Sequence, residues 1–177
     1  MTAITSHGLN SVLLLAASAA LAQPTLSPQS VLNSAGSLGA RATLERLYND
    51  QRQWSALLAG IATGTPSWLN VATTLHVVSD AGSSEQLSLA VGEALEHRPT
   101  NVLRLAVPNF SLEVLCDGPD LDDPRFNSYR LSIAAIERRQ AKLRSIHDPS
   151  LAALRDSCVA ELEKARANLA RFYEDPK

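Results

Sequence analysis

Residues 126–172 read FNSYRLSIAAIERRQAKLRSIHDPSLAALRDSCVAELEKARANLARF, and their spacing decides the fold. Phe126, Tyr129, Ile133, Ile136, Gln140 and Leu143 recur at intervals of three and four, the repeat of one face of an α-helix. Leu151, Leu154, Cys158, Leu162, Ala165, Leu169 and Phe172 keep nearly the same rule. Between the two runs, His147-Asp148-Pro149 is a tight reversal. Asp148 suits the N-cap, and Pro149, with no amide proton to lose, suits the first helical position. The spacing predicts a helical hairpin whose seams face each other as in a coiled coil.

Toward the N-terminus the same repeat continues in shorter pieces. Leu44, Leu47 and Tyr48, then Trp54, Leu57, Leu58 and Ile61, are helical on either side of a break at Asn49-Asp50. Gly64-Thr65-Pro66 combines a stop with a start, and Trp68, Leu69, Ala72, Leu75 and Val78 form the next apolar face. After a loop at residues 79–83, Ser83 or Ser84 is the expected cap of a helix through Leu87, Val91, Ala94 and Leu95. His97 and Arg98 fall in its last turn, where cations suit the helix dipole. Pro99 opens a short helix that Pro108 ends. Alternating β-branched stretches long enough for a strand are absent. The predicted class is all-α, with one domain over residues 38–177. Short antiparallel helices occupy residues 38–116 and the hairpin occupies 124–177.

Residues 23–37 are rich in Ser and Pro without a usable repeat, and read as a flexible leader. Ahead of them, Val12–Ala22 is an uncharged run ending in Ala20-Leu21-Ala22. Small side chains three residues and one residue before a cut are what signal peptidase requires, so residues 1–22 read as a cleavable export signal. The run of 11 residues is short of the roughly 20 needed to span a bilayer. Its first segment, Met1–Ser11, lacks Lys and Arg, which is atypical. Gln23 stands where a bacterial lipoprotein carries Cys, which disfavours a lipid anchor. Arg outnumbers Lys 13 to 3 and Ala is abundant, as in GC-rich bacterial genomes. The expected compartment is the periplasm, with secretion beyond the outer membrane as the minority reading.

Cysteine usage agrees with export. Cys116 and Cys158 are an even pair, which in an oxidising compartment predicts one disulfide rather than two independent buried thiols. A bridge would join the short helices to the hairpin. The net charge of −2, from 16 basic and 18 acidic side chains, gives no basic excess for nucleic acid. No long apolar run follows Ala22, so stable membrane insertion after cleavage is not expected.

Candidate sites are few. Asp117, Asp120, Asp122 and Asp123 could offer hard oxygen ligands to Ca²⁺, but Gly118-Pro119 and Asp123-Pro124 explain them as turns, with Asp123 capping a helix from Pro124. Glu93 and His97 share a helix face without a third ligand. Arg138, Arg139, Lys142 and Arg144 read as a solvated face, diluted by Glu137, Glu161 and Glu163. Neither a Gly-x-Ser-x-Gly elbow nor a His-Glu-x-x-His zinc pattern occurs. No cofactor and no catalytic residue is selected. Trp54 and Trp68 begin apolar runs and read mainly as core; an exposed one would mark a docking surface. These readings point to an exported, non-enzymatic helical protein that binds another envelope protein, as an inhibitor, an immunity-type factor or an assembly accessory. The alternative is a periplasmic small-ligand binder or envelope enzyme with a site between the two helical halves.

Overall fold

Ser27 caps the first helix through a reciprocal pair of hydrogen bonds. Its hydroxyl accepts the Ser30 N–H, and the Ser30 hydroxyl accepts the Ser27 N–H, each at 3.1 Å. The structure, a computed structural model, describes residues 26–174. Pro28–Leu38 is α1, with Pro28 in its first turn and Val31 buried. The flexible leader expected over residues 23–37 is thus corrected from Pro28 onward. The Ser and Pro that read as disorder are a cap and a helix start, and Val31 anchors the helix, which packs on α2 and α4. The expected export signal, residues 1–22, lies outside the described residues.

Gly39, at φ 89°, turns the chain directly into α2 (Ala40–Tyr48), a backbone angle that L side chains avoid. The predicted break follows: Asp50 caps α3 (Gln51–Ala62) by accepting the Arg52 and Gln53 N–H groups. Gly64, at φ 68°, and Pro66 then separate α3 from α4 (Pro66–His76). The cap of α5 (Ala81–Glu93) is Asp80 rather than Ser83 or Ser84. Its carboxylate accepts the Ser83 N–H, while the hydroxyl of Ser83, the third residue of the helix, accepts the Asp80 N–H in return.

A 3₁₀ turn (Ala94–Glu96) leads to α6 (Pro99–Asn101), which widens into a π turn over Val102–Ala106. A one-turn α7 (Leu112–Leu115) ends at Cys116. The hairpin is α8 (Tyr129–Arg144) and α9 (Ala152–Glu174), joined through a 3₁₀ turn at Pro149–Leu151 that Asp148 caps. It is antiparallel, as Tyr129 against Tyr173, Glu137 against Arg166 and Arg144 against Glu163 show. Asp123 does not cap α8. Its carboxylate is taken by the Arg125 N–H and guanidinium, which curls residues 124–127 into turns, and Ser128 accepts the Leu131 N–H instead. Phe126 therefore sits ahead of the helix. It is still buried, and its carbonyl accepts the Ser132 hydroxyl.

The class is all-α, with helices and no strand among the described residues. Leu47, Leu57, Ile61, Leu69, Leu75, Leu87, Leu95 and Leu103 fill the core of the short-helix half, and Ile136, Leu143 and Leu162 fill the hairpin seam. Cys116 and Cys158 form the disulfide between α7 and α9, with Cα atoms 5.2 Å apart and both side chains fully buried. No helix among the described residues is long and apolar enough to cross a membrane.

Candidate functional site

Two helices run side by side in the same direction and form the floor of a groove. Near their starts the Trp54 indole of α3 donates to Gln86 of α5 at 2.5 Å. Past their ends, a Cβ built on Gly64 would lie 3.0 Å from the Arg98 Cβ and 3.2 Å from the Ala94 Cβ. Helix α4 carries the chain back between them. Positions three and four apart on α3 (Ser55, Leu58, Ala59, Ala62) and on α5 (Gln86, Leu89, Ala90, Glu93) thus line a common surface. The opposite wall comes from the other half: Asp120, Asp123, Arg125 and Phe126 from the loop, and Arg139 and Lys142 from α8. The groove has a volume of about 1150 Å³ and is open to solvent.

Charge within the groove is largely matched internally. Arg125 forks onto Glu93 at 2.6 and 3.1 Å and onto Asp123 at 2.7 and 2.9 Å, while its guanidinium lies over the Phe126 ring. Asp123 is held below its ordinary range chiefly by the hydrogen bond from the Arg125 side chain, and Arg125 is raised by the same bond and by Glu93. Glu96 receives Arg138 Nε at 2.7 Å and faces Arg139 Nε at 3.5 Å. Arg139 is 3% exposed and sends Nη1 to the Asp117 and Gly118 carbonyls at 3.3 and 3.4 Å. Burial pushes its guanidinium down, and Glu96 opposes that. Arg139 thereby fastens the loop wall to α8, one residue beyond the disulfide.

Burial and hydrogen bonding place each of the expected sites. Trp54 is 2% exposed and hydrogen-bonded, in the core position read for it rather than on a docking surface; its ring meets Tyr48 edge-on at 5.0 Å. Trp68 is half-buried against the core, lying over Gly60. Arg139 does not belong to a solvated face. It lies in phase with Ile136 and Leu143, a signal that was available, since those two positions define the seam. The Asp117, Asp120 and Asp123 carboxylates each accept a nearby backbone N–H, as turn residues do. Glu93 is bound to Arg125, 32 positions away, a pairing with no local signature. Among the described residues no three His, Cys, Asp or Glu side chains gather as a metal set.

One further constellation comes from folding alone. His76 stacks on Phe110 at 4.0 Å, and its Nδ1 is 3.3 Å from the Ser84 hydroxyl and 3.4 Å from that of Ser79. Burial lowers its pKa. The contacts join α4, α5 and the chain before α7, and none of these residues lines the groove. No family model matches the chain, no curated protein matches it in sequence, and no solved structure matches its fold.

Proposed function

We propose that this is an exported, non-enzymatic protein that binds another protein of the bacterial envelope, and that the groove between its halves is where the partner docks. The single observation that carries this is the open groove with a floor of Leu58, Ala59, Ala62, Leu89 and Ala90. Helix-in-groove recognition uses such a surface, in which apolar side chains of the partner settle on an apolar floor inside a polar rim. Arg125 and Arg139 are bound to carboxylates or carbonyls of the same chain, so the walls are pre-organised rather than poised for chemistry. Export is supported by the run Val12–Ala22 and by a disulfide of the kind oxidising compartments sustain.

A small polar ligand in the same groove is the second reading, favoured by the charged groups gathered at Glu93, Glu96, Arg125 and Arg139. Crosslinking of the tagged protein in its native cells, followed by mass spectrometry, separates the two. One stoichiometric protein partner in the periplasmic fraction, on a chain that begins at Gln23, is expected. Recovery as an uncrosslinked monomer contradicts the protein-binding reading and leaves the small-ligand one. A chain retained in the cytoplasm with its first 22 residues contradicts export.

A further inference from the structure

The groove carries two cations that the fold leaves unmatched. Arg98, which enters α6, and Lys142 of α8 both line it and both are exposed. Among the described residues neither forms an ion pair. The acidic groups around them are in a different position. Glu93 and Asp123 are held by Arg125, and Glu96 by Arg138 and Arg139. Asp120 turns one oxygen to the Asp122 N–H at 2.9 Å. A carboxylate already paired offers little to an incoming cation, because its partner sits in the way and repels. An unpaired guanidinium or ammonium keeps its full attraction for a carboxylate.

We propose that the segment received by the groove is acidic as well as apolar: a stretch of a partner protein whose Leu or Phe side chains rest on Leu58, Ala62 and Leu89, and whose Asp or Glu side chains meet Arg98 and Lys142. Position supports the pairing. Arg98 stands where α3 ends, against Gly64, so the apolar floor of α3 runs toward it. A basic segment would meet those two cations with no free carboxylate beside them except Asp120. The proposal rests on the groove being the docking site, and the test separates the two claims.

Random 16-residue peptides displayed on phage are selected against the full exported protein, against A59W, which fills the groove from an exposed position on α3, and against R98E/K142E. Thermal melts confirm that each variant is folded. Peptides selected on the natural sequence are expected to combine Leu or Phe with Asp or Glu and to be lost on A59W. They should bind R98E/K142E about tenfold more weakly, and weaken with added salt. The reversed variant should enrich Lys and Arg. Peptides that need the open groove but show no acidic enrichment, and that ignore the charge reversal, would overturn this inference and leave the docking site standing. An absence of selected peptides, or binding indifferent to A59W, would overturn both.

Discussion

Arg139 enters the interior between Ile136 and Leu143 and divides its guanidinium between Glu96 and the carbonyls of Asp117 and Gly118. Without Arg139, Glu96 keeps Arg138, but the Asp117 and Gly118 carbonyls lose their donor, and an unsatisfied buried acceptor costs about 1–3 kcal/mol. Arg139→Met keeps the aliphatic stem and removes the charge, so it is expected to destabilise by about 1–3 kcal/mol in urea unfolding and to loosen the loop wall of the groove. His76 sets a different dependence. Burial holds its pKa below the ordinary 6.5, so the unfolded chain takes up a proton at a pH where the folded chain does not. Stability from this residue is full above the unfolded value of 6.5 and is lost as pH falls below it. The natural sequence should therefore show a falling Tm between pH 7 and 5, and His76→Gln should flatten that slope. Asp123 and Asp148 are held below the ordinary carboxylate range, so their contribution persists to lower pH and is lost only below about pH 4.

At the scale of elements, the α3–α4 crossing depends on a residue without a side chain. A Cβ on Gly60 would come within 2.5 Å of the Trp68 ring, so Gly60→Ala must displace the indole from its place over α3. Overpacking of this kind costs about 1–3 kcal/mol, offset in part by the better helix propensity of Ala, and a net loss of about 1–2 kcal/mol should appear in denaturant unfolding with a shifted Trp emission. The hairpin, the breaks at Asn49-Asp50 and Gly64-Thr65-Pro66, and the disulfide were legible because each rests on local spacing or on a unique pair of cysteines. Helix α1 was not, because its single buried apolar residue, Val31, sits among Ser and Pro that composition assigns to a leader. The start of α8 was misplaced for a related reason: Asp123-Pro124 carries a cap signature, but Arg125 claims the carboxylate. The groove itself was legible only as a position between the halves. Its walls pair Glu93 with Arg125 and Glu96 with Arg138, contacts between residues 32 and 42 positions apart that no local pattern encodes.

Across the whole molecule, the Cys116–Cys158 bridge ties the half that supplies the groove floor to the hairpin that supports its wall. With 42 positions between the cysteines, chain entropy assigns it about 4 kcal/mol. The Cys116→Ala/Cys158→Ala double variant should lose about 2–4 kcal/mol in urea unfolding, with hydrogen exchange rising first in residues 117–127, which follow the bridge directly. A protein-binding role through the groove is the central claim, and contact mapping tests it most directly. A photocrosslinking amino acid is placed at Ser55, exposed on the groove lining one turn from Ala59, and in parallel at Asn168, exposed on α9 away from it. On irradiation of the native cells, the Ser55 position is expected to capture one envelope protein in stoichiometric yield while the Asn168 position captures none. Equal capture from both positions, or no capture from Ser55, would contradict the account.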